Sequence, residues 1–219
     1  RGGGTYNYAI YLTGAGTDVT LQQVTALAEH GSTSNYGLYN YIGASTRLHG
    51  GSFTGRGGMY AYGIYSADNS TTPESTSVTA LAENGSSTNH GLSNHGGAAT
   101  LRGGSFTGRR GTDAIGIYNH GSDTTLKTES VTALAEDGNN YSFGLYNIYG
   151  VSTLRGGSFT GRGGTHAYGI HSTGSVATLE VESVTALGED GSNYNGGLIN
   201  PHSAAMLRCG SFTGRGGTY

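Results

Sequence analysis

The chain has 219 residues, of which 42 are Gly, with 11% charged residues, 2 Pro, 1 Cys, 16 Tyr and a net charge of -3. So much Gly, against a usual ~7%, without a G-X-Y triplet and with so little Pro excludes collagen, while regularly placed apolar residues exclude simple disorder. The slightly acidic balance argues against a nucleic-acid partner, no run of ~18 apolar residues offers a membrane span, and Cys209, alone where Gly50, Gly103 and Gly156 stand elsewhere, cannot close an internal disulfide.

Self-similarity is the dominant signal. The string GSFTG recurs at Gly51, Gly104, Gly157 and Gly210, each time 53 residues on, and VTAL recurs at Val24, Val78, Val131 and Val184, at intervals of 54, 53 and 53. Each repeat therefore holds a Val-type and a Phe-type half. Matching SVT to SFT sets Val131 level with Phe106. In that register the apolar anchors fall, in chain order, as one triplet per coil: Ile10, Val19, Val24; Leu38, Leu48, Phe53; Ile64, Pro73, Val78; Leu92, Leu101, Phe106; Ile117, Leu126, Val131; Leu145, Leu154, Phe159; Ile170, Leu179, Val184; Leu198, Leu207, Phe212.

One coil cannot bury its own anchors. Stacked coils can, because like residues then lie ~4.8 Å apart in columns around a dry interior. The predicted fold is all-β: a parallel β-solenoid of about eight coils, alternately 25 and 28 residues long, with three short strands per coil. It forms a single domain over 1–219 made of double-coil repeats 1–55, 56–108, 109–161 and 162–214, with 215–219 starting a fifth. Its hand is expected to be right, as it is for nearly all parallel crossovers. The glycines before the first anchor of each triplet, among them Gly37, Gly63, Gly116 and Gly144, read as tight corners. Thr132–Glu136 contains good helix formers but meets Gly138 too soon for a helix, and reads as a helical turn or bulged corner.

Outside the anchors, several columns recur. Glu29, Glu83, Glu136 and Glu189 follow each Val by five, and Arg56, Arg109, Arg162 and Arg215 follow each Phe by three. The two series are expected to interleave as an ionic ladder that sets register. Catalysis would need one differentiated place, and these columns are copies. Tyr11, Tyr39, Tyr65, Tyr118 and Tyr146 follow the first anchor, interrupted by Ser93, His171 and Ile199, and are expected to stack between coils and to offer faces to sugars or a partner filament. Asn40, Asn94, Asn147 and Asn200 come next, as a possible amide ladder. Ser and Thr flank the third anchor (Ser105 and Thr107, Ser130 and Thr132) in rows that suggest an alternative, ice binding.

No metal, cofactor or catalytic set is expected. The 8 His show no ligand spacing, and His90 and His95 read as solvated loop residues. TGRGG lacks the GK[ST] of a phosphate loop.

The strings Leu154-Arg155-Gly156-Gly157-Ser158-Phe159-Thr160-Gly161-Arg162-Gly163-Gly164 and Ser130-Val131-Thr132-Ala133-Leu134-Ala135-Glu136 resemble the right-handed parallel β-helix repeat proteins, a group that includes pectate-lyase-like folds, phage tail-spikes and long bacterial surface proteins. The resemblance covers the whole chain and implies architecture more than activity, since the group spans lyases, hydrolases, adhesins and inert shafts. The functional expectation is a structural subunit or segment of an extracellular filament, cell-surface shaft or virion appendage. Its partner would be itself, head to tail, or neighbouring repeats of a longer chain, because the sequence opens on Arg1-Gly2-Gly3 and closes on Arg215-Gly216-Gly217 at one phase of the repeat. A carbohydrate- or ice-binding surface is the alternative, with a polysaccharide lyase or hydrolase behind it.

Overall fold

The computed structural model describes residues 4–69 and 71–218, with backbone alone for Thr71 and Pro73. Arg1 and the side chain of Pro73, which the sequence places among the apolar anchors, lie outside the described set. Among the described residues every regular element is a β-strand and every pairing is parallel. No helix there is long and apolar enough to cross a membrane.

Each coil contributes three strands, as in Asp113–His120, Thr125–Glu129 and Thr132–Glu136, followed one coil on by Tyr141–Ile148, Val151–Arg155 and Ser158–Arg162. Stacking gives three walls. Eight long strands form one sheet, from Tyr6–Thr13 to Tyr194–Ile199. The two series of short strands form the other walls and merge into one sheet where Thr178–Glu189 and Ala204–Arg215 run unbroken through the corner between them. The chain is a parallel β-solenoid of about eight turns, as expected. Thr132–Glu136, however, is a strand rather than a helical turn, because strands above and below pair along its whole length.

The register corrects the sequence alignment by two residues. Phe106 pairs with Ala133, and Ala133 with Phe159, while Val184 pairs with Gly210. On this wall successive coils lie 27 residues apart from Ser105 to Thr132 and 26 from Thr132 to Ser158, instead of 25 and 28, while the long wall keeps the expected 25 from Leu92 to Ile117 and 28 from Ile117 to Leu145. Volume explains the choice. One inward column alternates Phe with Ala and the neighbouring corner column alternates Val with Gly, so no layer stacks two large residues. At Gly157 the Val131 carbonyl oxygen lies 2.3 Å from where a Cβ would stand, which leaves room for hydrogen alone.

The third column likewise splits in two. Leu126 lies over Ser152, and Thr128 over Leu154. Each of these coils offers this wall one Leu and one small residue, and the two exchange places from coil to coil.

The residue before Val or Gly turns the corner. Gly50, Ser77, Gly103, Ser130, Gly156, Ser183 and Cys209 all have positive φ, between 53° and 66°, so Cys209 does stand at a Gly position. The glycines before the first anchor do not turn corners. They sit mid-strand in the long wall, where the opposite wall approaches to backbone contact. A Cβ on Gly144 would lie 2.5 Å from both the Thr160 nitrogen and the Gly169 carbonyl oxygen.

The apolar interior is continuous. Phe53, Phe106, Phe159, Val78, Val131, Val184, Ile64, Leu92, Ile117, Leu145, Ile170, Leu101, Leu126, Leu154 and Leu179 are all buried. Val184, although aligned with Phe159 in the sequence, lies beside the Phe column rather than in it. The last coil departs from the expected core: Leu207 and Phe212 are 48% and 36% exposed and Leu198 is half-buried, since no described coil covers them.

The amide ladder runs inside the core and recruits Asn119 from the intervening coil, between Asn94 and Asn147. Asn94 Nδ2 donates to Asn119 Oδ1 at 2.8 Å, Asn119 Nδ2 to Asn147 Oδ1 at 2.9 Å, and Asn147 Nδ2 to Ser172 Oγ at 3.1 Å. Asn200 turns instead to the Ser203 carbonyl. Such buried amides stabilise the fold because they bond one another; a lone one would be costly.

Candidate functional site

The long wall carries the most distinctive surface. A regular strand would turn alternate residues outward, but here the close approach at Gly brings residues three apart onto the same outer face. Tyr36 and Tyr39, either side of Gly37 and Leu38, meet with ring centroids 4.7 Å apart at 77°. The result is two adjacent aromatic columns. The expected one holds Tyr11, Tyr39, Tyr65, Tyr118 and Tyr146, with Ser93, His171 and Ile199 interposed. The other holds Tyr8, Tyr36, Tyr62, His90, Ile115, Phe143 and Tyr168. The signal for this second column was the recurrent Tyr-Gly-Leu/Ile-Tyr of Tyr36–Tyr39 and Tyr62–Tyr65, masked by the assumption of strict alternation.

In the first coils the rings within a column are nearly parallel: Tyr36 and Tyr62 are 4.9 Å apart at 7°, and Tyr39 and Tyr65 are 5.2 Å apart at 3°; further on, His90 stands at 84° to Tyr62 and Tyr146 at 48° to Tyr118. Two coplanar rings side by side could not come so close. The parallel pairs are offset stacks in which each ring covers the face of the next, so the surface presents ring edges and phenol hydroxyls. Burial against their neighbours pushes the phenols of Tyr65 and Tyr118 up to about 12, and those of Tyr36, Tyr39 and Tyr62 upward as well.

His90, His95 and His171 belong to this face rather than to solvated loops. His90 lies in the strand Thr88–His95, only 5% exposed, against Tyr62 and Tyr118 at 5.4 and 4.8 Å. It fills the space that Ser93 leaves in the neighbouring column, with Nδ1 3.3 Å from Ser93 Oγ. Desolvation pushes His90 down to about 3, and His95 and His171 down to about 4. All three are neutral rings at neutral pH.

The wall is almost free of charge. Among the described residues of its strands, Asp113 is the only Asp, Glu, Lys or Arg, and burial raises its pKa. No protein family, curated protein or solved structure matches this chain.

The ionic residues gather on the other two walls. The two-residue correction in register places Glu29, Arg56, Glu83, Arg109, Glu136, Arg162 and Glu189 in one column of alternating sign. Arg109 Nε lies 2.9 Å from Glu136, and Arg162 spans Glu136 at 3.4 Å and Glu189 at 2.8 Å. A second, shorter series, missed in the sequence, runs along the other short wall: Arg47–Asp18 at 2.6 Å, Arg102–Glu129 at 3.0 Å and Arg155–Glu182 at 3.7 Å. Such half-exposed pairs add about 0–1 kcal/mol each, so their main effect is to penalise coils stacked out of phase.

The Ser/Thr rows also rearrange. Thr132 pairs with Ser105 and Ser158, while Leu134 pairs with Thr107 and Thr160. Ser130 has left the row for the corner. The second hydroxyl is therefore replaced by Leu in every Val-type coil. Among the described residues no three His, Cys, Asp or Glu converge as a metal-binding group.

Proposed function

We propose that this solenoid is a segment of a rigid extracellular shaft, whether a filament, a cell-surface stalk or a tail-fibre-like appendage, lengthened by coil stacked on coil. The observation that carries the reading is the repetition of one cross-section. Anchors, amides and ion pairs recur coil after coil, whereas a catalytic centre requires one place unlike the rest. The exposed Leu207 and Phe212 continue columns that are sealed in the inner coils, and a following coil, from the same chain or a second copy, would seal them too. The resemblance to β-helix surface and tail-spike proteins supports a location outside the cell.

Negative-stain electron microscopy across a concentration series tests this. Rods that lengthen with concentration, or a longer natural chain visible as a straight stalk on labelled intact cells, are expected. A globular particle with turnover on polysaccharide would overturn it. The sugar-binding alternative is less well served by the geometry, because a sugar stacks on an open ring face and these faces cover one another.

A further inference from the structure

We infer that the long wall is a lateral interface through which two copies of this solenoid pair face to face, aromatic columns against aromatic columns. The inference deepens the shaft reading and rests on it for its biological sense, although pairing can be measured independently.

Three observations lead to a second copy rather than another occupant. The first is charge. Among the described residues the ion pairs between Arg and Asp or Glu all lie on the two short walls, and the long wall's strands hold Asp113 alone. Bringing two such faces together sets no like charges against each other, whereas an ionic partner would find nothing to bind. The second is area. Eight strands at ~4.8 Å and about eight residues at ~3.3 Å make a face of roughly 1,000 Å², above the ~800 Å² per partner of a stable interface. The third is period. Rings stack at about the strand spacing over the first three coils and again from Phe143 to Tyr168 and from Tyr146 to His171, so a surface with that same repeat fits between them coil after coil. A copy of this wall has it by construction, as paired sheets do in dry β-zippers, and a twofold pair is the simplest closed arrangement.

The test is the mass of the whole chain at neutral pH, by light scattering and sedimentation at micromolar concentration. Twice 22.4 kDa is expected, or an even multiple of that chain mass where paired rods also extend end to end. The double variant Tyr39→Lys, Tyr65→Lys should halve the mass and keep the β circular-dichroism spectrum. Should that pair not fold, His120→Lys at the rim places a charge on the same face. Thr132→Lys with Thr185→Lys, on a short wall, should leave the mass doubled. A monomeric wild type, or a doubled mass that survives the Tyr→Lys changes, overturns the inference. So does a monomer retarded in gels containing soluble β-glucan, which would assign the face to sugar. Microscopy separates the two proposals: single-width rods that lengthen sink pairing alone, and short rods of double width sink end-on extension alone.

Discussion

The long wall and the two short walls cover the same stack of coils with opposite chemistry. On the long wall the outward positions are aromatic and nearly uncharged, and the wall presses on the opposite backbone through a column of Gly. On the short walls the outward positions include ionic columns of Arg and Glu. The difference teaches where each kind of stress should act. The core is shared, pH works on the aromatic wall, and salt works on the ionic ones.

The shared core should give the largest effect. Phe106→Ala, at a fully buried site already opposite Ala80 and Ala133, should cost about 3–5 kcal/mol in denaturant unfolding. A loss below 1 kcal/mol would mean that the column collapses onto the gap. Next come two glycines that look alike in sequence. Gly144→Ala should cost about 1–3 kcal/mol or more, because its Cβ meets backbone on two sides. Gly156→Ala, at a corner where neighbouring coils carry Ser, should cost about 1 kcal/mol or less. Equal losses would erase the distinction between wall and corner.

The acid response should come from the long wall. His90, His95 and His171 have folded pKa values of about 3, 4 and 4 against ~6.5 unfolded. Below pH ~6.5 the unfolded chain therefore binds the extra protons, and stability falls as pH drops toward 4 by up to about 1.4 kcal/mol per pH unit for each imidazole. His171→Phe should flatten that slope. At the alkaline end Tyr65 and Tyr118, raised to about 12, reverse the sign: their contribution is complete below pH ~10 and fades as pH climbs toward 12. The smallest effect belongs to the ionic column. Arg109→Ala should cost about 0–1 kcal/mol, and less at high salt. A larger loss in 1 M salt would show that packing of the Arg stem outweighs its charge.

Much of this architecture was legible in the sequence. Period, coil number, three strands per coil and the Leu/Ile column followed from spacing alone. The register did not, because Ser-Val-Thr and Ser-Phe-Thr look like equivalents when each is read as an inward apolar residue between two hydroxyls. Stacking is decided by volume between coils, which places Phe over Ala and Val over Gly. The charges held the missing clue: Glu five after Val and Arg three after Phe become level only when the halves slide by two. The second aromatic column escaped for a related reason. Alternation is a rule for a strand with room on both sides, and Gly37 or Gly144 marks where that room ends. The buried clamp of Asn89, whose Oδ1 accepts from Gly85 N while its Nδ2 donates to the carbonyls of Gly85 and Arg110, was likewise invisible, since Ala holds the same place one coil on.

The alternation of Phe with Ala, Val with Gly and Arg with Glu also governs how such a molecule can grow or shrink. Removing 26 or 27 residues would bring Phe onto Phe and Arg onto Arg, whereas removing 53 restores every neighbour. The length of this protein is therefore quantised in pairs of turns, and natural or engineered variants should differ by whole doublets.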